Sequence, residues 1–309
     1  MLDMSTNLTD PIFHNEDAAR AHFEAIRWAD GRACPHCGVV NNSTLVKGKS
    51  HRPGMYQCND CRKPFSVTVG SVMESSHIPL HKWALGFHLM AASKKGVSAH
   101  QLMRTLGLGS YRTAWFMAHR IREAMRPVDP EPMGGEGKTV EVDETFIGRV
   151  PGVPKQRAGT AHKNVVLTLV ERGGSARSFH VDSTSIADII PIVKANVARE
   201  AAMMTDTASH YRRNLGDFAS HGMVNHKANE YVRGEIHTNT VEGFYSVFKR
   251  GMRGVYQHCG ERHLHRYLVE FDFRYSNRVA LGVNDTERAH RAIKGAEGKR
   301  LTYQPARQA

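Results

Sequence analysis

The sequence has no run approaching the roughly 18 apolar residues that a membrane-spanning helix needs. Its first residues, MLDMSTNLTDPIFHNEDAAR, lack the basic-then-apolar order of a secretory signal. Membrane insertion and secretion are therefore not expected, and a cytoplasmic location is. Cysteine is scarce, five in 309 residues, and four of the five fall in two tight pairs. That pattern argues against a disulfide framework and for metal binding in a reducing compartment. Acidic residues are in deficit, 30 against 42 Lys plus Arg, which leaves a formal net charge of +12. So basic a chain fits a polyanionic partner, nucleic acid before a membrane surface, because each neutralised phosphate releases condensed counterions. There is also no internal repeat and no low-complexity tract. What is present, 40% hydrophobic residues over a length exceeding one typical domain, suffices for two or three compact units.

Helical periodicity and cap chemistry predict a helix over 14–28 with Asn15 as its N-cap. Three more are predicted over 79–94, 98–106 and 110–126, the last two capped by Ser98 and Ser110. These two, joined through LGLGS, have the length and Gly-bearing turn of a helix-turn-helix. Its second helix carries Tyr111, Arg112, His119, Arg120 and Arg122 around an apolar stripe, so Arg112 and Arg120 are candidate DNA contacts. RPVDPEPMGGEG, residues 126–137, holds three prolines and three glycines and marks a boundary. Beyond it strands are predicted over 138–148, 163–172 and 176–183, the last two separated by GGS as in a hairpin. A helix near 185–200 then feeds the short apolar strand AAMMTD, which ends at Asp206. The remainder reads as mostly helical, with helices over 239–252 and 260–277 and a loosely held basic tail from about 283. The fold class is α/β and multi-domain.

CPHCG supplies Cys34 and Cys37, and CNDC supplies Cys58 and Cys61, with twenty residues between the pairs. Two such knuckles make a closed tetrahedral zinc site, which substitutes for a core that fifty residues could hardly build. Four thiolates fill that site and leave His36 outside it. A redox dithiol would need only one pair. Lys47, Lys49, His51, Arg52, Arg62 and Lys63 surround the knuckles and make the module a candidate DNA or partner contact as well as a prop. Cys259, without a sequence-near partner, reads as an ordinary thiol.

Three acids stand apart by position. Asp143 lies mid-strand in TVEVDETF, where alternation sets Val140 and Val142 on one face and Glu141, Asp143 and Thr145 on the other. Asp206 closes a strand at its carboxyl end, where α/β folds commonly carry chemistry. Glu242 sits on the helix that follows HTNT. Phosphoryl transfer without a covalent intermediate uses two hard divalent cations, for which carboxylates are the fitting ligands. A basic protein that grips DNA still needs such an acidic patch to hold Mg²⁺ or Mn²⁺ against the scissile phosphate. Lys249, Arg250 and Arg253 follow Glu242 at helical spacing and are candidate phosphate contacts.

The segments IRWADGRACPHCG, CNDCRKPFSVTVGSVMESSHIPLHKW, VEVDETFIG, TDTASHY, VNHKANEYVRGEIHTNTVEGFYSVFKRGMRGVYQH and LHRYLVEFDFRYSNR are spread through residues 11–278. In them the chain resembles the DDE transposases of bacterial insertion sequences, most closely the insertion sequence 1595 family with its N-terminal zinc ribbon. The resemblance implies a ribonuclease-H-like mixed-sheet catalytic domain over 138–282. Ahead of it would stand an N-terminal helix and zinc ribbon over 11–75, a helix-turn-helix-like DNA-binding module over 76–127 and a linker over 128–137, with a basic tail over 283–309. Asp143, Asp206 and Glu242 carry over as the catalytic acids that bind magnesium, and Asn239, on the same helical face as Glu242, is the alternative third ligand. His226 and His237 are motif residues that orient DNA or a ligand, or are structural. The implied activity is binding of the element's inverted-repeat ends and metal-dependent cleavage and strand transfer. Double-stranded DNA would be the partner, and a homodimer or larger assembly would handle two ends together in a bacterial, nucleoid-associated setting. An inactive DNA-binding regulator on the same scaffold and a metal-dependent nuclease are the alternatives. After Asp143 the chain reads GRVPGVPKQRAGTAHK, where relatives tend to have a Gly-Gly pair and a lysine-rich loop.

Overall fold

The computed structural model describes residues 7–302 except 49, 156–158 and 229. The chain forms two compact units: one of residues up to Ser93 with Val97–Arg126 and the segment from Val283, the other of Lys94–Gly96 and Pro127–Gly282.

The first unit begins with α1 (Glu16–Arg27), whose N-cap Asn15 accepts hydrogen bonds from the Asp17 and Ala18 amides. A small antiparallel sheet follows, β1 (Ser43–Leu45), β2 (Tyr56–Cys58) and β3 (Pro64–Phe65), in that order. Then come α2 (Leu80–Ala92), α3 (Ala99–Thr105) and α4 (Tyr111–Met125), the last two capped by Ser98 and Ser110 as predicted. The segment from 283, expected as a loose tail, instead forms α9 (Asp285–Lys294), which packs on α1, α2 and α4. Ala289, Ala292 and Ile293 are buried, and the Arg288 guanidinium donates to the Ala91 carbonyl. Lys299 then donates to the carbonyls of Ala124 and Arg126 at the end of α4. The apolar positions of α9 are mostly alanines, so hydrophobic patterning understates how much of this segment is buried. Residues 303–309 of the expected tail lie outside the described residues.

The second unit is built on β4 (Thr139–Ile147), β5 (Asn164–Glu171), β6 (Ala176–Val181), β7 (Ala202–Asp206) and β8 (Ser220–Val224). The sheet order is β6-β5-β4-β7-β8, antiparallel across β6, β5 and β4 and parallel from β4 to β7 and β8. This mixed sheet is that of a ribonuclease-H-like fold. On one face α5 (Ile186–Asn196) and the short α6 (Ser209–Arg212) cover Val140, Val142, Leu167, Leu169 and Met203. On the other, α7 (Asn239–Gly251) and α8 (Leu264–Ser276) bury Phe244, Phe248, Leu268 and Phe271 against Ile147, Val166 and Val170. β5 is apolar almost throughout because both of its faces are covered. A short hairpin, β9 (Val232–Arg233) with β10 (Ile236–His237), precedes α7.

β8 and this hairpin fall where the sequence suggested helices. SHGMV has no usable alternation, and its strand conformation comes from pairing with β7. Residues 128–137 are more than a linker: Met133 is buried and pairs with Val197, its amide donating to the Asn196 carbonyl at 2.7 Å. Gly134 is required next to it, because a Cβ there would meet the Ala201 methyl at 2.6 Å and its φ is +83°. Among the described residues no helix is long and apolar enough to cross a membrane.

Candidate active site and metal centre

In the first unit the four cysteine sulfurs all lie within 4.8 Å of one another, with Cys34–Cys61 and Cys37–Cys58 each at 3.7 Å. A zinc ion with bonds of about 2.3 Å sets tetrahedral sulfur–sulfur edges of about 3.8 Å, so the cluster fits zinc; a disulfide would bring two sulfurs to about 2 Å. Each knuckle closes in the same way. The Gly38 amide returns to the Cys34 carbonyl and the Arg62 amide to the Cys58 carbonyl, with both turn residues at positive φ. Trp28, Tyr56 and Phe65 pack beside Cys34 and Cys58, and the Arg32 guanidinium lies 3.8 Å over the Tyr56 ring. His36 hydrogen-bonds the Pro64 carbonyl rather than joining the sulfurs.

In the second unit, β4 and β7 run parallel with Thr139 opposite Ala202 and Glu141 opposite Met204. Two residues further along the same register, Asp143 stands level with Asp206. Register partners on parallel strands point to the same face, here the one that α7 covers. Glu242 lies in the first turn of α7, where a carboxylate also faces the positive end of the helix. Burial pushes the Asp143 carboxyl up to about 8, and the negative charges of Glu144, Asp206 and Glu242 push in the same direction. The three acids predicted from sequence therefore act on one another. Asp143 Oδ1 accepts from the Glu144 amide and Asp206 Oδ1 from the Ala208 amide, both at 2.8 Å. Glu242 Oε1 accepts from the Thr238 hydroxyl at 3.0 Å and lies 3.5 Å from His226 Nε2. An all-oxygen donor set, in which the charges of Asp206 and Glu242 act on the buried Asp143, suits a hard divalent cation. Among the described residues only the cysteines have all their donor atoms within 4.8 Å, so the acids are spaced more widely than one ion's tight shell.

The sequence reading missed what aims Glu242. Glu141, fully buried two residues before Asp143 on the same strand face, accepts from the Thr240 and Val241 amides at 2.7 and 2.9 Å and from the Thr240 hydroxyl at 2.7 Å. It thus takes the first free donors of α7. Arg172 Nε pairs with it at 2.6 Å, and the same guanidinium holds the carbonyls of Glu235 and His237. His237 Nδ1 lies 3.2 Å from Glu141, so this histidine belongs to the clamp, whereas His226 belongs to Glu242. Tyr245, one turn beyond Glu242, donates to the Asp143 carbonyl at 2.6 Å. The available signal was period-two alternation, which sets Glu141 beside Asp143. On the opposite face Glu144 accepts from the buried Tyr211 hydroxyl.

Residues 134–276 match the ISXO2-like transposase domain, and residues 14–64 match the transposase zinc-ribbon domain of the same group. The chain belongs to the insertion sequence 1595 transposase family. It is also 27% identical over 282 residues to an uncharacterized protein in the transposable element ISH50 of Halobacterium salinarum, a match that spans 85% of this chain and 91% of that protein.

The basic residues expected at DNA divide in this transposase-family chain. Tyr111 and Arg112 stand exposed at the start of α4, and Lys47, His51, Arg52, Arg62 and Lys63 are exposed around the knuckles, while Lys49 lies outside the described residues. Arg120 differs from expectation: its guanidinium donates to the Glu74 and Leu301 carbonyls and lies over the Phe116 ring. Arg120 lies two turns along α4 from the exposed Arg112, on the part of the helix that packs inward, and His119 and Arg122 are buried as well. On α7, Lys249 lies 5.7 Å over the Tyr245 ring and Arg250 donates to the Ser246 hydroxyl, and Arg253 beyond the helix is exposed. Of the basic loop 149–163, residues 156–158 lie outside the described residues.

Proposed function

We propose that this protein binds the inverted-repeat ends of its own element and cuts and joins DNA there, with Asp143, Asp206 and Glu242 as its catalytic acids. The observation that carries the reading is the gathering of these carboxylates where two parallel strands run in level register: burial drives Asp143 to about 8, and the charges of Glu144, Asp206 and Glu242 push it the same way. Such a site is short of positive charge, and a metal would relieve it. The three carboxylates would hold two Mg²⁺ or Mn²⁺, which supply activation of the attacking oxygen and neutralisation of the leaving one. Glu242 is favoured over Asn239 because its charge reaches Asp143. His226 and Thr238 orient the Glu242 carboxylate, and Glu141 with Arg172 fixes the start of α7 so that this acid keeps its bearing. Lys249, Arg250 and Arg253 line the route of the phosphate backbone. Water attacks first, and the freed 3′-hydroxyl then attacks target DNA in line.

Cys34, Cys37, Cys58 and Cys61 would hold a structural zinc, and the exposed cations around them with Arg112 would bind the ends. Two ends handled together call for a homodimer or larger assembly on DNA. The test is cleavage and strand transfer on DNA carrying the element's ends, with added Mg²⁺, for the native protein and for Asp206→Asn and Glu242→Gln. Loss of chemistry with end binding retained supports the reading. Native protein that binds ends tightly and never cuts them refutes it.

A further inference from the structure

At the C-terminal end of β4, four residues beyond Asp143, the second unit contains a cavity of about 540 Å³. Its apolar floor is Ile147, Met252 and Leu264, all buried. Around it stand Arg149, Lys163 and Arg253, and no acidic side chain is among the lining residues. Among the described residues, none of these three cations has an ion-pair partner. A pocket that joins an apolar bed to three cations has the chemistry of a nucleotide: a flat, weakly polar base and a phosphodiester anion.

The backbone there is unusual in a second way. α7 runs on as a π-turn over Met252–Tyr256, and Gln257 follows at φ +51° and ψ −55°, a conformation rare for a residue with a side chain. Its amide closes back on the Met252 carbonyl at 2.8 Å. π-segments and strained residues gather at functional sites, and here they shape one wall of the cavity.

We propose that this cavity is a nucleotide subsite, taking one base swung out of a DNA strand, with its adjoining phosphate held by Arg149, Lys163 and Arg253. The inference rests on the DNA-processing role given above. α7 spans ten residues from Glu242 to Met252, about 15 Å at 1.5 Å per residue. At 3.4 Å per nucleotide, the extruded base falls about four or five nucleotides from the scissile phosphate. Extrusion would be easiest at unpaired or weakly paired positions, where the stacking to be broken is least.

Cys259 also lines the cavity and offers a local reporter. The experiment measures the rate of its alkylation by N-ethylmaleimide, located by peptide mass spectrometry, in full-length zinc-loaded protein carrying Asp206→Asn without added Mg²⁺. Single-stranded DNA and deoxyadenosine monophosphate are each expected to slow the reaction about tenfold at saturation. A Lys163→Ala, Arg253→Ala protein, which alters one half-buried and one exposed side chain, is expected to lose this protection at the same ligand concentrations. Inorganic phosphate is expected not to protect. Absence of protection, protection unchanged in the double variant, or equal protection by inorganic phosphate each overturns the proposal. Because the readout needs neither metal nor cleavage, an error in assigning the three acids would leave it unmoved.

Discussion

The raised Asp143 gives the metal-free protein an unusual pH dependence. An unfolded aspartate loses its proton near 3.9, whereas folded Asp143 keeps it to about 8, burial being the main cause and neighbouring carboxylates the next. Between roughly pH 4 and pH 8 the folded state therefore binds a proton that the unfolded state has released, so stability falls as pH rises. The slope is about 1.4 kcal/mol per pH unit, which amounts to about 4 kcal/mol by pH 7 and stops growing above the folded value. Asp272, raised to about 7 by desolvation against which its hydrogen bonds from Ser178 work, adds a slope of the same sign that ends sooner. Asp143→Asn should remove the larger part and make the metal-free second unit more stable at neutral pH. Mg²⁺ should stabilise the native protein most at neutral to alkaline pH, and Asp143→Asn should respond weakly. Trp28, Trp83 and Trp115 all lie in the first unit, so tryptophan fluorescence follows that unit alone, while calorimetry follows both. Comparing the two across pH, with and without Mg²⁺, isolates the second unit. An identical pH slope in Asp143→Asn and native protein would refute the electrostatic account of the site.

Three other outcomes are expected. Cys34→Ser should release zinc, measured by elemental analysis, and weaken end binding while the calorimetric transition of the second unit stays in place; unchanged metal content would sink the ribbon assignment. If Glu242→Gln remains active in the strand-transfer assay while Asn239→Ala does not, the third ligand is Asn239; the opposite pattern is expected. Glu141→Gln breaks the ion pair of a fully buried carboxylate with the partly exposed Arg172 and turns amide hydrogens toward the donors of α7, a loss of about 3 to 5 kcal/mol. That should lower the melting temperature of the second unit by roughly 6 to 20 °C and reduce strand transfer even well below the transition.

The helices of the first unit were legible because their caps and apolar spacing are local, as with Asn15, Ser98 and Ser110. The cysteine cluster was legible for the same reason, since each knuckle needs only five or so consecutive residues. β4, β5 and β6 were readable as a strand and a hairpin, the turn tightened by Gly173 at φ +67°. What was not readable depends on distant partners. SHGMV becomes β8 only because β7 supplies a neighbour, and Arg120 turns inward only because Glu74 and Leu301 offer carbonyls. The polar segment after 283 is held because it meets a groove made by three other helices. For the acids, sequence offered Asp143, Asp206 and Glu242 as candidates; that they press on one another follows from a register the sequence does not state.

β4 explains how a chain with net charge +12 can hold so much negative charge in one place. Alternation assigns Glu141 and Asp143 to the face under α7 and Glu144 to the other, so three acids within four residues divide between different neighbours. Glu141 is fully neutralised by Arg172 and the first amides of α7, and it makes no demand for metal. Glu144 takes the Tyr211 hydroxyl. Asp143 alone among them has a single backbone amide hydrogen bond and faces two further carboxylates, so the unmet electrostatic demand concentrates on it. The same anchoring that neutralises Glu141 brings Glu242 one residue later into reach of Asp143. Clamp and catalytic acid are thus coupled through the start of one helix. A substitution that loosens α7 at Glu141 should therefore lower the Asp143 value by the part that the Glu242 charge contributes, while burial and the nearer acids keep it above that of an ordinary aspartate, a shift that NMR titration of the carboxyl carbons would read directly.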